Sequence, residues 1–460
     1  MMATGAGWAV RIGRLLSTYE WLFLGFLLPF ALFPTPARAP LLLLIPLLWL
    51  ARKVGHGRYV PATPFDWTLF GLLLMVLVSL YATFDISFSI GKIAGMVFGV
   101  AVFYATVAFV ADSVKRLWLG VGALMASELG VVALSLLGGQ WPRKFPLFRD
   151  LIGRLPPRLL TLPGAATGFS SNELAGVLLW IAPLALVLAL LSVWEMGKVR
   201  GQARLWLHIL LSFTLIGMAA LFSGTLLLSQ SRGGLLGLGV GFMAMLLAAA
   251  WRVRRWLPLA LFVAAAGISV LVATSIGVDE VKTMLFDQVG VSNGGGAIGT
   301  LEGRLEIWSR ALYGIQDFPF TGMGMNNFRR VVHILYPLFL IPPDKDIAHA
   351  HNYLLQAALD LGIPGLIAYL ALWLGAAVLL WQVWGQTESP WLKWLALGMA
   401  GSLLSHFMYG MTDAVALGAK PGFIFWLLLG LVVSLHQIVQ RETAASGSGM
   451  AAGEPGAGQK

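Results

Sequence analysis

The chain has 460 residues, of which 58% are hydrophobic and only 11% charged, and its mean hydropathy is +0.81. A soluble domain carries roughly 25% charged residues, so this apolar excess excludes a water-soluble fold and makes lipid the solvent. The net charge of +10 is spread as Lys and Arg between apolar runs, where it sets orientation rather than a nucleic-acid surface, and the absence of cysteine excludes disulfides, iron–sulfur clusters and thiolate metal sites.

In chain order, apolar runs predict helices at 19–35, 39–51, 67–84, 93–111, 116–137, 172–193, 205–229, 234–251, 255–275, 362–384, 391–412 and 421–440. Crossing a hydrocarbon core of about 30 Å takes about 20 residues, so the pattern reads as an all-α polytopic membrane protein of about twelve spans. The first run follows Arg11 and Arg14 without a small-residue cleavage site and reads as a retained helix rather than a signal peptide. Arg52, Lys53 and Arg58, then Lys115 and Arg116, then Lys198, Arg200 and Arg204, then Arg252, Arg254 and Arg255 all fall on one side. The positive-inside rule makes that side cytoplasmic, together with both termini. The expected organisation is therefore nine helices with short loops over 1–275, a long external loop over 276–361 in which function should be sought, three helices over 362–440 and a disordered cytoplasmic tail over 441–460.

The external loop 138–171 defies the charge rule, because Arg143, Lys144, Arg149, Arg154 and Arg158 crowd it. It is either a tolerated surface patch or a site for an anionic ligand. Glu128 lies mid-membrane just before it, where an ionised carboxylate costs several kcal/mol unless paired or wet; it is the residue that best suits a transporter. The external turn Ser229-Gln230-Ser231-Arg232-Gly233-Gly234 puts Arg232 at the membrane boundary, where snorkelling is the plain explanation. Gly233, Gly237 and Gly241 suit close helix packing. No strand-anchored Gly-x-x-x-x-Gly-Lys-Ser/Thr loop exists, which argues against ATP-driven chemistry.

The long loop opens with Ser292-Asn293-Gly294-Gly295-Gly296. A helix follows, its apolar stripe formed by Ile307, Trp308, Ala311, Leu312 and Ile315, and it ends at Asp317-Phe318-Pro319. Arg304 near its start is poorly placed for the helix dipole, which hints at a ligand. After Gly322 and Gly324 come Asp344-Lys345-Asp346 and His349-Ala350-His351-Asn352. Histidine accepts a proton at physiological pH, and His351 is the candidate general base. Two plainer readings stand beside it: a surface or capping histidine, and a metal site built from Asp344, Asp346, His349 and His351.

His351-Asn352, nine residues, Gly362 and then Ile363-Pro364-Gly365 resemble the hallmark of the O-antigen ligase and polymerase superfamily. Gly303-Arg304, Trp308, Ala311, Ile315, Pro319, Gly322, Gly324, Asn327 and Phe328 resemble its preceding loop motif, Ser231-Arg232-Gly233 its Arg turn, and Gly168-Phe169 with Asn172-Glu173-Leu174-Ala175 its earlier segment. The resemblance implies a GT-C-like glycosyltransferase that needs no metal or other cofactor. The donor would be an undecaprenyl diphosphate-linked glycan and the acceptor a glycan or lipid A core. The enzyme would work at the periplasmic face of the bacterial inner membrane, among membrane lipids. One essential histidine and two arginines of the family map onto His351, Arg304 and Arg232; Arg158, Asn172, His349 and Asn352 are further candidates. The bidentate fork of arginine suits a diphosphate, and a neutral histidine suits deprotonation of an acceptor hydroxyl with inversion at the anomeric carbon. The reading from another class is a secondary transporter or flippase of lipid-linked glycans, which calls for matching halves and a midplane site.

Overall fold

A computed structural model describes residues 2–32, 35, 37–110, 113–139, 141–142, 148–154, 170–257, isolated positions between 260 and 271, 298, and 300–451. The described residues are helical and contain no strand. Helices α1 (Met2–Thr18), α2 (Glu20–Leu32), α3 (Leu44–His56) and α4 (Asp66–Ser79) precede the long α5 (Ile86–Val110) and α6 (Val114–Gly138). After the short α7 (Arg149–Gly153) come α8 (Ser171–Leu178), α9 (Ala182–Met196), α10 (Gln202–Ser229) and α11 (Arg232–Val253). The loop region holds α12 (Leu301–Asp317) and α13 (Phe328–Leu335), and α14 (Tyr353–Gln386), α15 (Pro390–Gly410) and α16 (Phe423–Ala451) complete the chain.

Among the described residues six helices are long and apolar enough to cross a membrane, or up to eight if two bent pairs, α1 with α2 and α8 with α9, each form one span. This is a multi-pass helical membrane protein. The expected count of about twelve is not reached among the described residues, in part because hydropathy does not measure helix length; α15, with 21 residues, is long enough but is not among these spans. α3 and α4 have 13 and 14 residues, which at 1.5 Å per residue reach about 20 Å, short of a full crossing. The run at 255–275 lies largely outside the described residues. At the far end α16 continues to Ala451, past residue 441 where the sequence reading places a disordered tail.

The α8–α9 break shows how a helix can open inside the bundle. The chain bends by 42° there, and Leu179, Trp180 and Ile181 bond back to Ala175, Val177 and Leu178. The break frees the Gly176 carbonyl, which accepts from His406 Nδ1 at 2.7 Å, while Leu184 N–H donates to Ser402 Oγ at 3.3 Å. Thus α15 caps both sides of the break, the condition for non-helical backbone at membrane depth. His406 is itself held by stacking on Trp180, with ring centroids 4.4 Å apart.

The loop region has its own apolar core, built from Ile307, Ala311, Met323, Phe328, Val332, Ile341, Ile347, Ala350 and Leu359. Only part of the expected α12 stripe turns inward: Ile307 and Ala311 are buried, whereas Leu312 is exposed. The core is tied to the bundle by backbone contacts that admit no side chain. Met323 N–H donates to Leu359 O and Ile363 N–H to Pro319 O, both at 2.7 Å. Gly322 (φ +66°) and Gly362 (φ +71°) meet where these strands of chain cross; a Cβ on Gly362 would lie 2.5 Å from Phe320 O. Gly362 has non-helical dihedrals and Pro364 lacks an N–H, so together they kink α14. Asn327, fully buried, accepts from Asp85 N–H and donates to Ser89 Oγ, fastening the turn to the start of α5.

Candidate functional site

The site begins with a helix cap. Asn352 Oδ1 accepts from Leu354 N–H and Leu355 N–H, both at 3.0 Å, and starts α14. Its Nδ2 donates to Met411 O at 3.2 Å, which holds the start of α14 against the end of α15. The residue before the cap, His351, is left with φ +47°, in the left-handed region that costs a non-glycine residue free energy. Its Nδ1 lies 3.2 Å from Asp413 Oδ1, and its backbone N–H donates to His349 Nδ1 at 3.2 Å. The two imidazoles sit with centroids 4.3 Å apart, and His349 Nε2 is 3.6 Å from the same Asp413 oxygen.

Charge at this cluster is decided by surroundings. Burial pushes the Asp413 carboxyl up, but the adjacent His351, then His349 and Arg304, outweigh it and hold the group below the usual carboxylate range. For His349 burial comes first and repulsion from His351 adds to it, so the ring is held down to about 3 and is neutral at ordinary pH. An ionised Asp413 accepts a hydrogen bond from His351 Nδ1–H, which in the neutral ring fixes the tautomer with its lone pair on Nε2.

His349, His351 and Asp413 also form a set whose ligand atoms lie within 4.8 Å of one another. The bond pattern disfavours metal ligation, because His349 Nδ1 already accepts from the backbone. A neutral His349 therefore carries its proton on Nε2, the atom that faces Asp413. Of the four residues weighed as an alternative metal site in the sequence, His349 and His351 come together, whereas Asp346 pairs with Arg329 and Asp344 lies 3.7 Å from Lys345.

Arg304 stands in the first turn of α12, which Thr300 caps through Gly303 N–H at 3.1 Å. Its Nε is buried without a hydrogen-bond partner among the described residues, and its charge acts on both His349 and Asp413. Arg232 is the first residue of α11, capped by Ser231, whose hydroxyl accepts from Gly234 N–H at 3.3 Å. A Cβ on the next residue, Gly233, would lie 2.6 Å from Thr412 Oγ1, so the Arg232 turn abuts the residue before Asp413. Gly234 faces Ala175 in the same way, and Tyr409 Oη donates to Asn172 O at 2.8 Å. Four segments distant in sequence, around Asn172, Arg232, His351 and Asp413, thus meet at one end of α15. Asn172 contributes a backbone carbonyl to this junction, and Asn352 a cap.

Arg158 lies outside the described residues, as do Arg143, Lys144, Gly168 and Phe169; Arg154 is exposed. Glu128 is buried in α6, and neither of its oxygens has a hydrogen-bond partner among the described residues.

Sequence reasoning missed Asp413. A carboxylate just past an apolar helix, in a turn on the same side as the long loop, was the available signal. It also passed over Lys92 in α5 and Lys420, both within electrostatic reach of Glu173. Glu173 itself is exposed and lies within electrostatic reach of Asp413 as well.

A model of the O-antigen ligase family matches residues 217–370. No curated protein matches the chain. The matched segment runs from α10 to α14 and contains Arg232, Arg304 and His351, while Asn172 and Asp413 lie outside it. The match spans residues 217–370 of the 460-residue chain and supports the likeness to the O-antigen ligase and polymerase superfamily.

Proposed function

We propose that the protein is an inverting, metal-independent glycosyltransferase that moves a glycan from undecaprenyl diphosphate to an acceptor hydroxyl in surface polysaccharide biosynthesis. The observation that carries the reading is the His351–Asp413 couple beside Arg304, within hydrogen-bond reach at 3.2 Å. The sugar–diphosphate bond is already activated, so the enzyme has three tasks: hold the diphosphate, offset charge on its leaving oxygen, and take the acceptor's proton. In this reading His351 Nε2 removes the proton while Asp413 steadies the imidazolium that forms. Arg232 and Arg304 hold the diphosphate, whose oxygens match the guanidinium fork. As the bond from acceptor oxygen to the anomeric carbon forms, the bond to the diphosphate oxygen breaks, and the configuration inverts.

The same reading places the site at the periplasmic face of the inner membrane, with both termini cytoplasmic. It takes the scaffold as GT-C-like with about twelve spans, residues 276–361 serving as the catalytic loop. The family match and the apolar helices support the coarser part of this reading, a multi-pass membrane protein with a glycosyltransferase-like role.

The test is transfer in proteoliposomes from a defined lipid diphosphate-linked glycan, offered either lipid A core or a second lipid-linked unit. A single finished chain on lipid A core identifies a ligase, and a ladder of lengthened lipid-linked products a polymerase. Movement of the donor across the bilayer without any new glycosidic bond contradicts the proposal and favours the flippase. EDTA is expected to leave the rate unchanged; loss restored by a divalent ion overturns the metal-independent step.

A further inference from the structure

A second polar chain lies behind the histidines. Ala350, the residue between His349 and His351, donates its N–H to Gln356 Oε1 at 2.8 Å. Gln356 Nε2 donates to Asp360 Oδ1 at 2.9 Å, and the same oxygen accepts from Asn326 N–H at 3.0 Å. Gln356 and Asp360 are buried, at 4% and 1% exposure, and lie one turn apart on α14. Asn326, at φ +68°, belongs to the turn that Asn327 fastens to α5. The chain therefore runs from the bundle, through two side chains, to the His349–Ala350 peptide, one residue before the strained His351. None of its members faces Asp413 by a hydrogen bond.

We infer that Gln356 and Asp360 are positioning residues: their hydrogen bonds hold the His349-Ala350-His351 backbone so that His351 meets Asp413 and the acceptor. The inference rests on the general-base reading of His351. A residue in the left-handed region relaxes once its neighbours no longer over-determine it, and a displacement of about 1 Å at a reacting group costs about 10²-fold in rate. What is needed at position 360 is an acceptor oxygen and not a charge, because both its partners are donors.

The experiment compares transfer by Gln356→Met, Asp360→Asn and the double variant Gln356→Glu/Asp360→Asn with His351→Ala, in proteoliposomes with the lipid diphosphate-linked donor. Gln356→Met, which removes both bonds at similar volume, is expected to lower kcat by about 10- to 100-fold with donor KM within threefold. Asp360→Asn keeps an acceptor oxygen and is expected to stay within threefold of wild type. The double variant exchanges which side chain carries the charge while leaving an acceptor for Ala350 N–H, and it should exceed Gln356→Met in kcat. An unchanged kcat in Gln356→Met, or an Asp360→Asn variant as inactive as His351→Ala, overturns the inference. Should Gln356→Met not accumulate as folded protein, the last two variants decide alone: a double variant as inactive as His351→Ala is equally fatal. A fully active His351→Ala instead removes the base reading itself, so the two failures are distinguishable.

Discussion

The glycine-rich crossing around Gly322 and Gly362 and the polar cluster around His351 both contain residues that resemble the superfamily pattern, and they are built on opposite terms. At the crossing the key backbone groups are paired: Met323 with Leu359, Ile363 with Pro319, and Asn327 with Asp85 and Ser89. The close approach leaves no room for a Cβ at either glycine. In the cluster a guanidinium nitrogen of Arg304 has no hydrogen-bond partner among the described residues, one carboxylate oxygen faces both histidines, and His351 sits at positive φ. Satisfied polar groups stabilise a fold; unsatisfied ones aimed into a recess cost stability and are retained where a ligand completes them. Shared membership of a motif therefore does not imply a shared role: the glycines are scaffold, and the proposed chemistry lies with the ionisable groups.

Substitutions at the two regions should separate these roles. The largest effect is expected for Asp413→Asn, which keeps the shape of the carboxylate but no longer fixes the His351 tautomer. Transfer should fall by about 10²- to 10⁴-fold, the range seen when the orienting acid of a hydrogen-bonded triad is lost, with unfolding temperature little changed. Gly362→Ala should do the reverse. A Cβ 2.5 Å from Phe320 O at positive φ costs about 1–3 kcal/mol or more, read as lower thermal stability, while the activity per folded molecule stays within a few-fold. Arg304→Lys keeps the charge and loses the fork, so donor affinity should weaken by about tenfold; a fully active Lys variant argues against bidentate diphosphate binding.

The smallest effect concerns pH. His349 is held down to about 3 in the folded chain, below its ordinary 6.5. The unfolded chain therefore binds more protons in that window, and stability falls as pH drops from 6.5 toward 3. His349→Gln should flatten this part of the thermal stability profile. If the profile of the variant parallels wild type, His349 is not buried in its neutral form.

How much of this was legible in sequence depended on distance along the chain. Hydropathy runs identified the membrane class and the long loop. The local strings identified His351, Arg232 and Arg304 as the residues to inspect, and the structure gathers the segments that carry them. Asp413 was not legible, because it lies 62 residues from His351 and reaches it only through the return of α15. Asn352, a further site candidate, caps α14, a role that local sequence already allowed. The described residues hold six to eight candidate spans, fewer than the twelve runs read from hydropathy, in part because α3 and α4 are apolar but short.

The central claim is that His351 acts as the base in glycan transfer, and His351→Ala tests it most directly. Single-turnover transfer from lipid diphosphate-linked glycan should be measured with the purified variant in proteoliposomes, with donor binding followed in parallel. The account predicts at least about 10³-fold slower transfer with donor affinity within threefold of wild type. Transfer within tenfold of wild type would contradict it.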